Sequence, residues 1–457
     1  MKYFRLSPDC FLVEGRKDAV IYDVPRSRVF VLDGRAFELL RSCEDNQPLD
    51  DRLEGTELRF LEQLRDERLG SFESEPCFVD KLLLRAPVEW RGFCMQPPDF
   101  HKVDWAFTSG CDLDCGFCGR PGETVSWQSC LTCVRQVPPG APAWWPADLD
   151  GFVDGLAGLG APVLNLRGGN PLHAWERLQA VLRSAARHPG ITVVVTTPGT
   201  GQPIERVVEL ARRERVRLNL VFLGPDRESV AAACGDGAVF DHQTALIDAL
   251  EEAGAVYFVN VLLSAATRGR RGEITRLFQE RWGASPAFGE VLLRGECGEG
   301  FRFSHVGEKQ KTLSPWRSME EFYFRVKTNT CLQGTLQIAA DGRVRPCAGI
   351  DRAFGDVGRD GLREALADDR LYELWELDKG QVKPCDGCAL RFACADCTTA
   401  ELPPENGAGD GAGCGDLKHA YCDFDPDREG EGARAYTWSW SPPEFVRTLS
   451  LETEQVG

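Results

Sequence analysis

The chain has 457 residues, 43% of them hydrophobic and 27% charged, with a formal net charge of −17. That length suits about three ordinary domains. No apolar run approaches the roughly 18 residues that a membrane span needs, and a face this acidic is the wrong sign for nucleic acid or an anionic membrane. The opening MKYFRLSPDCF lacks the apolar stretch of a secretory signal, so a cytoplasmic protein is expected. There are 19 cysteines, an odd number, and they are clustered. In a reducing compartment such thiols hold metal or iron–sulfur centres more often than disulfides. A redox or radical enzyme, a zinc-stabilised binding protein and an electron carrier all remain open at this level.

Residues 1–85 read as a small α/β unit. Short strand-like runs stand at Leu12–Val13, Ala19–Ile21 and Val29–Leu32, separated or followed by Gly15, Pro25 and Gly34. A helical stretch follows at Phe37–Cys43. A longer amphipathic one carries Leu58, Leu61, Leu64 and Leu69, with Gly70 as its stop. Residues 86–100, rich in proline, read as a linker.

Residues 101–295 alternate strand and helix. Strands are predicted at 103–108, 162–167, 191–196, 216–223, 255–263 and 290–294, with helical runs between them. This alternation predicts parallel strands joined by crossover helices, either doubly wound or as an incomplete barrel. Both place their chemistry at the C-terminal ends of the strands. Residues 296–457 have weak strand signals, frequent glycine and eight cysteines from Cys331 onward. The segment 405–416 reads as a flexible loop, and the tail from residue 440 as peripheral.

After the first predicted barrel strand comes TSGCDLDCGFCGRPGE, in which Cys111, Cys115 and Cys118 are spaced C-x3-C-x2-C. Three thiolates this close can hold three corners of a [4Fe–4S] cubane and leave one iron open to a small molecule. The alternatives are a zinc site or three unrelated thiols. With Phe117 before the third cysteine, the motif resembles the radical S-adenosylmethionine superfamily. The resemblance implies that the open iron binds the methionine part of S-adenosylmethionine, and that a 5′-deoxyadenosyl radical then abstracts hydrogen from substrate. Gly168-Gly169-Asn170-Pro171, after the second strand, resembles the family's glycine-rich cofactor motif, with Asn170 where the family usually carries Glu. An amide there keeps a hydrogen bond and loses the charge-assisted contact. The stretch TTPGT (196–200) ends the third strand. Val221 and Leu223 offer no polar ribose contact near the end of the fourth. Asn260, in the fifth strand, either reaches the ribose or bonds to backbone.

A second pattern begins at Cys331, with Gly342 and Cys347 following, then Cys385-x2-Cys388-x5-Cys394-x2-Cys397, then Cys414 and Cys422. Zinc knuckles usually need a longer separation than five residues, whereas ferredoxins share closely spaced cysteines between neighbouring clusters. The region resembles the SPASM auxiliary-cluster domain of peptide-modifying radical enzymes, apart from the final x2 spacing. The resemblance implies one cluster on Cys385, Cys388, Cys394 and Cys422, and a proximal one on Cys331, Cys347 and Cys397. The proximal fourth ligand is then Cys297 or an open position for a substrate thiol, and Cys414 is the alternative to Cys422.

Together with NTCLQGTLQIAADGRVRPC and YCDFDP, these motifs resemble SPASM maturases of ribosomal-peptide pathways, the subtype found beside ATP-grasp enzymes being nearest. The resemblance implies an α/β chain in three parts. A PqqD-like, winged-helix-like leader-recognition domain occupies 1–85, a partial (β/α)6 barrel 86–300, and an auxiliary iron–sulfur domain with a tail 301–457. It implies one radical-generating and two auxiliary [4Fe–4S] clusters, a ribosomally made precursor peptide as substrate, and a one-electron reductant such as flavodoxin or ferredoxin, with no nucleic acid or membrane partner. The expected product is a thioether or carbon-linked ring. A formylglycine-type protein maturase, a peptide epimerase and a zinc-stabilised peptide binder without turnover are the alternatives.

Several residues carry no assigned chemistry. Cys130 and Cys133 form a C-x2-C that is half a metal site, read as a structural pair. Cys10, Cys43, Cys77, Cys94 and Cys234 read as small buried hydrophobes. Trp144, Trp145, Trp438 and Trp440 read as packing residues.

Overall fold

The computed structural model describes residues 3–16, 19–49, 55–81, 99–120, 124–135, 137–138, 140–293, 313–350, 352–382, 385–394, 397, 444–449 and 451. The N-terminal unit comprises β1 (Tyr3–Leu6), β2 (Cys10–Glu14), β3 (Ala19–Asp23), β4 (Arg28–Leu32), α1 (Gly34–Glu44), α2 (Gly55–Asp66) and β5 (Gly70–Glu73). The three predicted strands are β2, β3 and β4, a meander. Asp33 caps α1 by accepting from Ala36 N at 2.8 Å. β1 and β5 were not foreseen. Gly70 opens β5 rather than ending a helix, because β1 lies so close that a Cβ there would stand 2.4 Å from Arg5 O.

The barrel follows in chain order: β6 (Lys102–Ala106), β7 (Thr124–Trp127), α3 (Leu149–Gly158), β8 (Val163–Arg167), α4 (Trp175–Ala185), β9 (Thr192–Thr197), α5 (Ile204–Ala211) and β10 (Val216–Phe222). Then come α6 (Arg227–Cys234), α7 (Ala238–Glu252), β11 (Tyr257–Leu263), α8 (Arg271–Trp282) and β12 (Ala287–Leu293). The strands β6, β8, β9, β10, β11 and β12 lie side by side in sequence order, every neighbouring pair parallel. A doubly wound sheet reverses its order once. This one does not, so of the two windings the alternation allowed, the partial barrel is the one formed. The short β7 adds antiparallel to β12.

The remaining elements are α9 (Met319–Lys327), β13 (Thr335–Ile338), β14 (Arg343–Arg345), β15 (Gly355–Asp356) and β16 (Val446–Leu449). The β13–β14–β15 ribbon continues the barrel sheet by pairing β13 parallel to β6, so the C-terminal part shares a sheet with the barrel. Trp105 locks this junction, with ring centroids 5.6 Å from Trp145 and 5.0 Å from Phe152, while Trp144 N donates to Ala340 O at 2.7 Å. Trp144 and Trp145 are packing residues, as expected. Trp438 and Trp440 lie outside the described residues.

One expectation is overturned. The tail is not peripheral at 446–451: β16 pairs parallel with β4, and Val446, Leu449 and Leu451 are buried. Its apolar side chains complete the core of the N-terminal unit. That unit also docks on the cysteine-rich segment. Tyr22 donates from its hydroxyl to Ala389 O at 2.8 Å, Arg16 N donates to Gly387 O at 2.9 Å, and Phe11 stacks on Phe322. Among the described residues no helix is long and apolar enough to cross a membrane.

Candidate active site

Cys111, Cys115 and Cys118 follow β6 at its C-terminal end, where a barrel exposes its loops. Each is a free, half-buried thiol. They sit against an apolar group that includes Leu113, Phe117, Val134, Val221, Leu223 and Leu262. Burial pushes the Cys111 thiol up to about 11. Burial raises Cys115 further, and next the charges of Cys133 and Cys118 do so. Cys111 and Cys115 therefore rest as neutral thiols, and a bound cation is what would draw them to thiolates. Arg135 turns towards the group and donates to Cys118 Sγ from its backbone N at 3.2 Å and its Nε at 3.4 Å. Three gathered thiols plus a cation fit the donor set of an iron–sulfur cluster. Among the described residues no His, Cys, Asp or Glu group closes around a single metal ion.

The glycine-rich turn after β8 is laced to this loop. Gly168 has φ +103° and Gly169 φ +134°. A Cβ on Gly168 would stand 2.6 Å from Thr108 O, and one on Gly169 2.6 Å from Gly110 O. Only glycine permits both the backbone conformation and that approach. Asn170 N then donates to Gly110 O at 2.8 Å. The Asn170 side chain is fully buried: its Nδ2 donates to Asp112 Oδ1 at 2.7 Å and to Thr200 O at 2.9 Å, and its Oδ1 accepts from Thr197 Oγ1 at 2.7 Å and Leu172 N at 3.1 Å. Every polar group of the amide is thus used inside the protein. Thr197 and Thr200, from the turn that ends β9, are the partners that the sequence left without a role. Phe117 is buried among the apolar neighbours of the thiols.

Inside the barrel a polar ladder crosses five adjacent strands. Asn165 donates to Asp104 Oδ1 at 2.5 Å, Thr196 to Asn165 Oδ1 at 2.7 Å, and Asn219 to Thr196 Oγ1 at 3.1 Å. Asn260 closes the ladder by donating to Asn219 Oδ1. Its Nδ2 is thus held by a side chain rather than by backbone. Lys102 lies 3.0 Å from Asp104. Burial alone would lower its pKa, and the Asp104 carboxylate outweighs that and raises it. Lys102, Asn165, Asn219 and Asn260 line a cavity of about 750 Å³.

The second constellation divides in two. Cys385, Cys388 and Cys394 are strung on consecutive short turns, Cys388 N donating to Cys385 O at 3.0 Å and Cys394 N to Arg391 O at 3.4 Å. Cys347 is buried, and its thiol is held up by burial first and then by the charges of Cys331 and Cys397. Cys331 and Cys397 are thus near enough for their charges to act on the Cys347 thiol. Cys297, Cys414 and Cys422 lie outside the described residues.

The sequence marks Cys130 and Cys133 as half a metal site but not the path of the insert that holds them. Its residues 131–135 run through the barrel lumen. Leu131 O accepts from Asn219 Nδ2 at 3.1 Å, and Thr132 O from Arg167 Nη2 at 2.9 Å. Cys133 lies beside the first thiol group. The only sequence signal was the C-x2-C spacing itself. Of the other cysteines, Cys10, Cys43 and Cys234 are buried as expected, Cys77 is half-buried, and Cys94 lies outside the described residues.

Comparison with known proteins places these features. Residues 105–273 match the model of the Radical SAM superfamily. Residues 330–389 match the model of SPASM, an iron–sulfur cluster-binding domain. An AdoMet-dependent heme synthase of Methanosarcina barkeri is 22% identical over 332 residues, 65% of this chain and 90% of that protein. Among solved structures, native anSMEcpe with bound AdoMet and Kp18Cys peptide superposes with a TM-score of 0.51 at 13% identity, over 71% of this chain and 95% of that one. Streptococcus suis SuiB bound to precursor peptide SuiA gives 0.45 at 14% identity, over 87% and 96%.

Proposed function

Because the chain is an enzyme with a Radical SAM domain over residues 105–273 and a SPASM iron–sulfur domain over 330–389, we propose that it matures a ribosomally made precursor peptide by closing a thioether or carbon-linked ring within it. The observation that carries this reading is the union of three parts: the thiol loop at the barrel mouth, Cys331 and Cys347 flanking the β13–β14 hairpin that continues the barrel sheet, and an N-terminal β-sheet packed against Cys388 and Cys394. A sheet in that place is suited to receive an extended leader as an added strand, which would hand the following residues to the barrel. The edge strands of that sheet are β2 and the chain's own β16. The anSMEcpe structure, which shares the fold, holds a peptide.

In this reading Cys111, Cys115 and Cys118 hold the radical-generating cluster, and Cys331, Cys347, Cys385, Cys388, Cys394, Cys397 and Cys422 hold auxiliary ones. When bound, the first cluster and S-adenosylmethionine supply one-electron cleavage of the sulfonium and so a hydrogen-abstracting radical. The protein's own groups prepare the place. Arg135 neutralises charge at Cys118. Gly168 and Gly169 bring a bare backbone up to the thiol loop. Asn170 fixes that loop against the turn after β9. The Asp104–Asn260 ladder makes the inner wall rigid and polar, able to orient a peptide backbone by hydrogen bonds. The lumen segment at Thr132, itself fully buried, narrows the access of water, which would quench radicals.

Mass spectrometry of short peptides encoded beside this gene, each co-expressed with the enzyme under low oxygen, tests the reading. Loss of a hydrogen pair that disappears with Cys115→Ala supports ring formation. Deuterium uptake without mass loss marks an epimerase, and a formylglycine residue marks a protein maturase. A colourless protein that holds zinc overturns the radical reading.

A further inference from the structure

Cys130 of the C-x2-C insert has no role in the reading above. Cys130 lies in the single turn Ser129–Leu131 and faces the cavity wall that Lys102 shares. Lys102 is in register with Thr335 of β13, and Thr335 Oγ1 donates back to Cys331 O at 3.3 Å. His101 N bonds to Gly334 O at 2.8 Å and fastens the same corner. The β13–β14 hairpin, with Ile338 opposite Val344, then delivers Cys347. The start of β6 is therefore where three segments meet: the insert, the strand that follows Cys331, and the hairpin that precedes Cys347. The electrostatics agree. The neighbours that act on the Cys347 thiol are Cys331, Cys397 and Cys130, and those on Cys130 include Cys397.

We propose that Cys130 is the fourth protein ligand of the proximal auxiliary cluster, completing the set Cys130, Cys331, Cys347 and Cys397. The proposal rests on the cluster reading given above and deepens it. The fourth position was open between Cys297 and a substrate thiol, and neither is needed once Cys130 is counted. Four thiolates saturate a cubane. The proximal cluster then has no iron free for a substrate cysteine and serves as a carrier of electrons only. The position is also informative. Three residues further on, Cys133 lies beside Cys111, Cys115 and Cys118. The insert is therefore a short covalent strap between the radical-generating site and the proximal auxiliary site, pinned midway by Arg167 and Asn219. A ligand drawn from the loop region of the first site makes assembly of the two sites interdependent.

The test uses the full chain, purified anaerobically, as wild type and as Cys130→Ala, Cys130→Ser and Cys297→Ala. Iron and sulfide per chain and the paramagnetic resonance of the dithionite-reduced protein are measured. The change in the first cluster's signal on adding S-adenosylmethionine reports that the barrel is intact. Wild type should hold about twelve irons, three cubanes. Cys130→Ala should alter the auxiliary signal, by loss of up to about a third of the iron or by opening one iron of a cubane kept on three thiolates, while the first signal still responds to S-adenosylmethionine. Cys130→Ser, whose oxygen can stand in as a ligand, should keep most of the iron with an altered auxiliary signal, and Cys297→Ala should match wild type. Full iron and unchanged auxiliary signals in Cys130→Ala overturn the proposal alone, as does loss of a cluster in Cys297→Ala. A wild type without iron–sulfur clusters overturns the parent reading as well, so the two failures are distinguishable.

Discussion

Asn170 Nδ2 donates to Asp112 Oδ1 at 2.7 Å, joining the glycine-rich turn after β8 to the residue next to Cys111. The carboxylate that this amide holds comes from the thiol loop. Asn170→Ala removes both ends of this clamp and leaves the buried Thr197 hydroxyl and Leu172 amide without their acceptor. Each such loss costs about 1–3 kcal/mol. A lower melting temperature and an affinity for S-adenosylmethionine reduced about tenfold or more are expected. Asp112→Asn, which keeps the hydrogen bond to a side-chain oxygen, should preserve the melting temperature and lose affinity. Titration of S-adenosylmethionine into the anaerobic protein, beside a thermal melt, reads both.

The glycine pair gives a sharper steric test. Gly169→Ala places a Cβ 2.6 Å from Gly110 O in a backbone conformation that alanine avoids. The thiol loop must move, so iron at the first site and binding of S-adenosylmethionine should both fall. Gly190→Ala is the control, since nothing lies within 4 Å of the added carbon. Its iron content and melting temperature should match wild type.

Acid sensitivity should appear at Asp226, the N-cap of α6. The Arg270 guanidinium first, and then the Ser229 amide, hold its carboxyl down at about 2. A carboxylate with a depressed folded pKa stabilises fully above its unfolded value of about 3.9, and the contribution fades as pH falls towards 2. Asp226→Ala should cost about 1 kcal/mol at pH 7, the usual worth of such a cap. Denaturant melts at pH 7 and pH 3 should show the penalty shrinking at the lower pH. A penalty that is unchanged at pH 3 would contradict the assignment.

The returning strand β16 makes the tail part of the N-terminal unit. Leu451 N donates to Asp33 Oδ2 at 2.5 Å, and the same carboxylate caps α1 through its other oxygen. Burial of Val446, Leu449 and Leu451 is worth about 1.5–3 kcal/mol for each side chain. Removal of residues 444–457 should speed amide hydrogen exchange throughout β4 and lower the melting temperature. Exchange in β9 and β10 should not change.

The barrel was legible because its strands are nearly continuous apolar runs, such as VRLNLVF in β10, separated by amphipathic helices. Even the inner ladder left a trace, since Asp104, Asn165, Asn219 and Asn260 are buried polar residues flanked by apolar ones within such runs. What stayed hidden depends on distant pairing. The strand β13 is four residues long and belongs to the barrel only through its register with β6. The strand β16 is recognisable only by its partner β4, more than 400 residues earlier. The spacing of Cys130 and Cys133 describes half a metal site. Only the lumen path of the insert brings the other thiols within reach. Alternation alone left the winding open; the motif resemblance implied the partial barrel, and a strand order without reversal agrees with it.

The central claim is that this site abstracts hydrogen from a peptide, and one assay addresses it directly. The anaerobic enzyme is incubated with S-adenosylmethionine, dithionite and each short peptide encoded beside the gene, and 5′-deoxyadenosine and peptide mass are followed together. The expected result is peptide-dependent 5′-deoxyadenosine with loss of a hydrogen pair from one peptide, both abolished in Cys115→Ala. With all clusters present, S-adenosylmethionine cleavage that no peptide stimulates, and peptides that keep their mass, would contradict the claim.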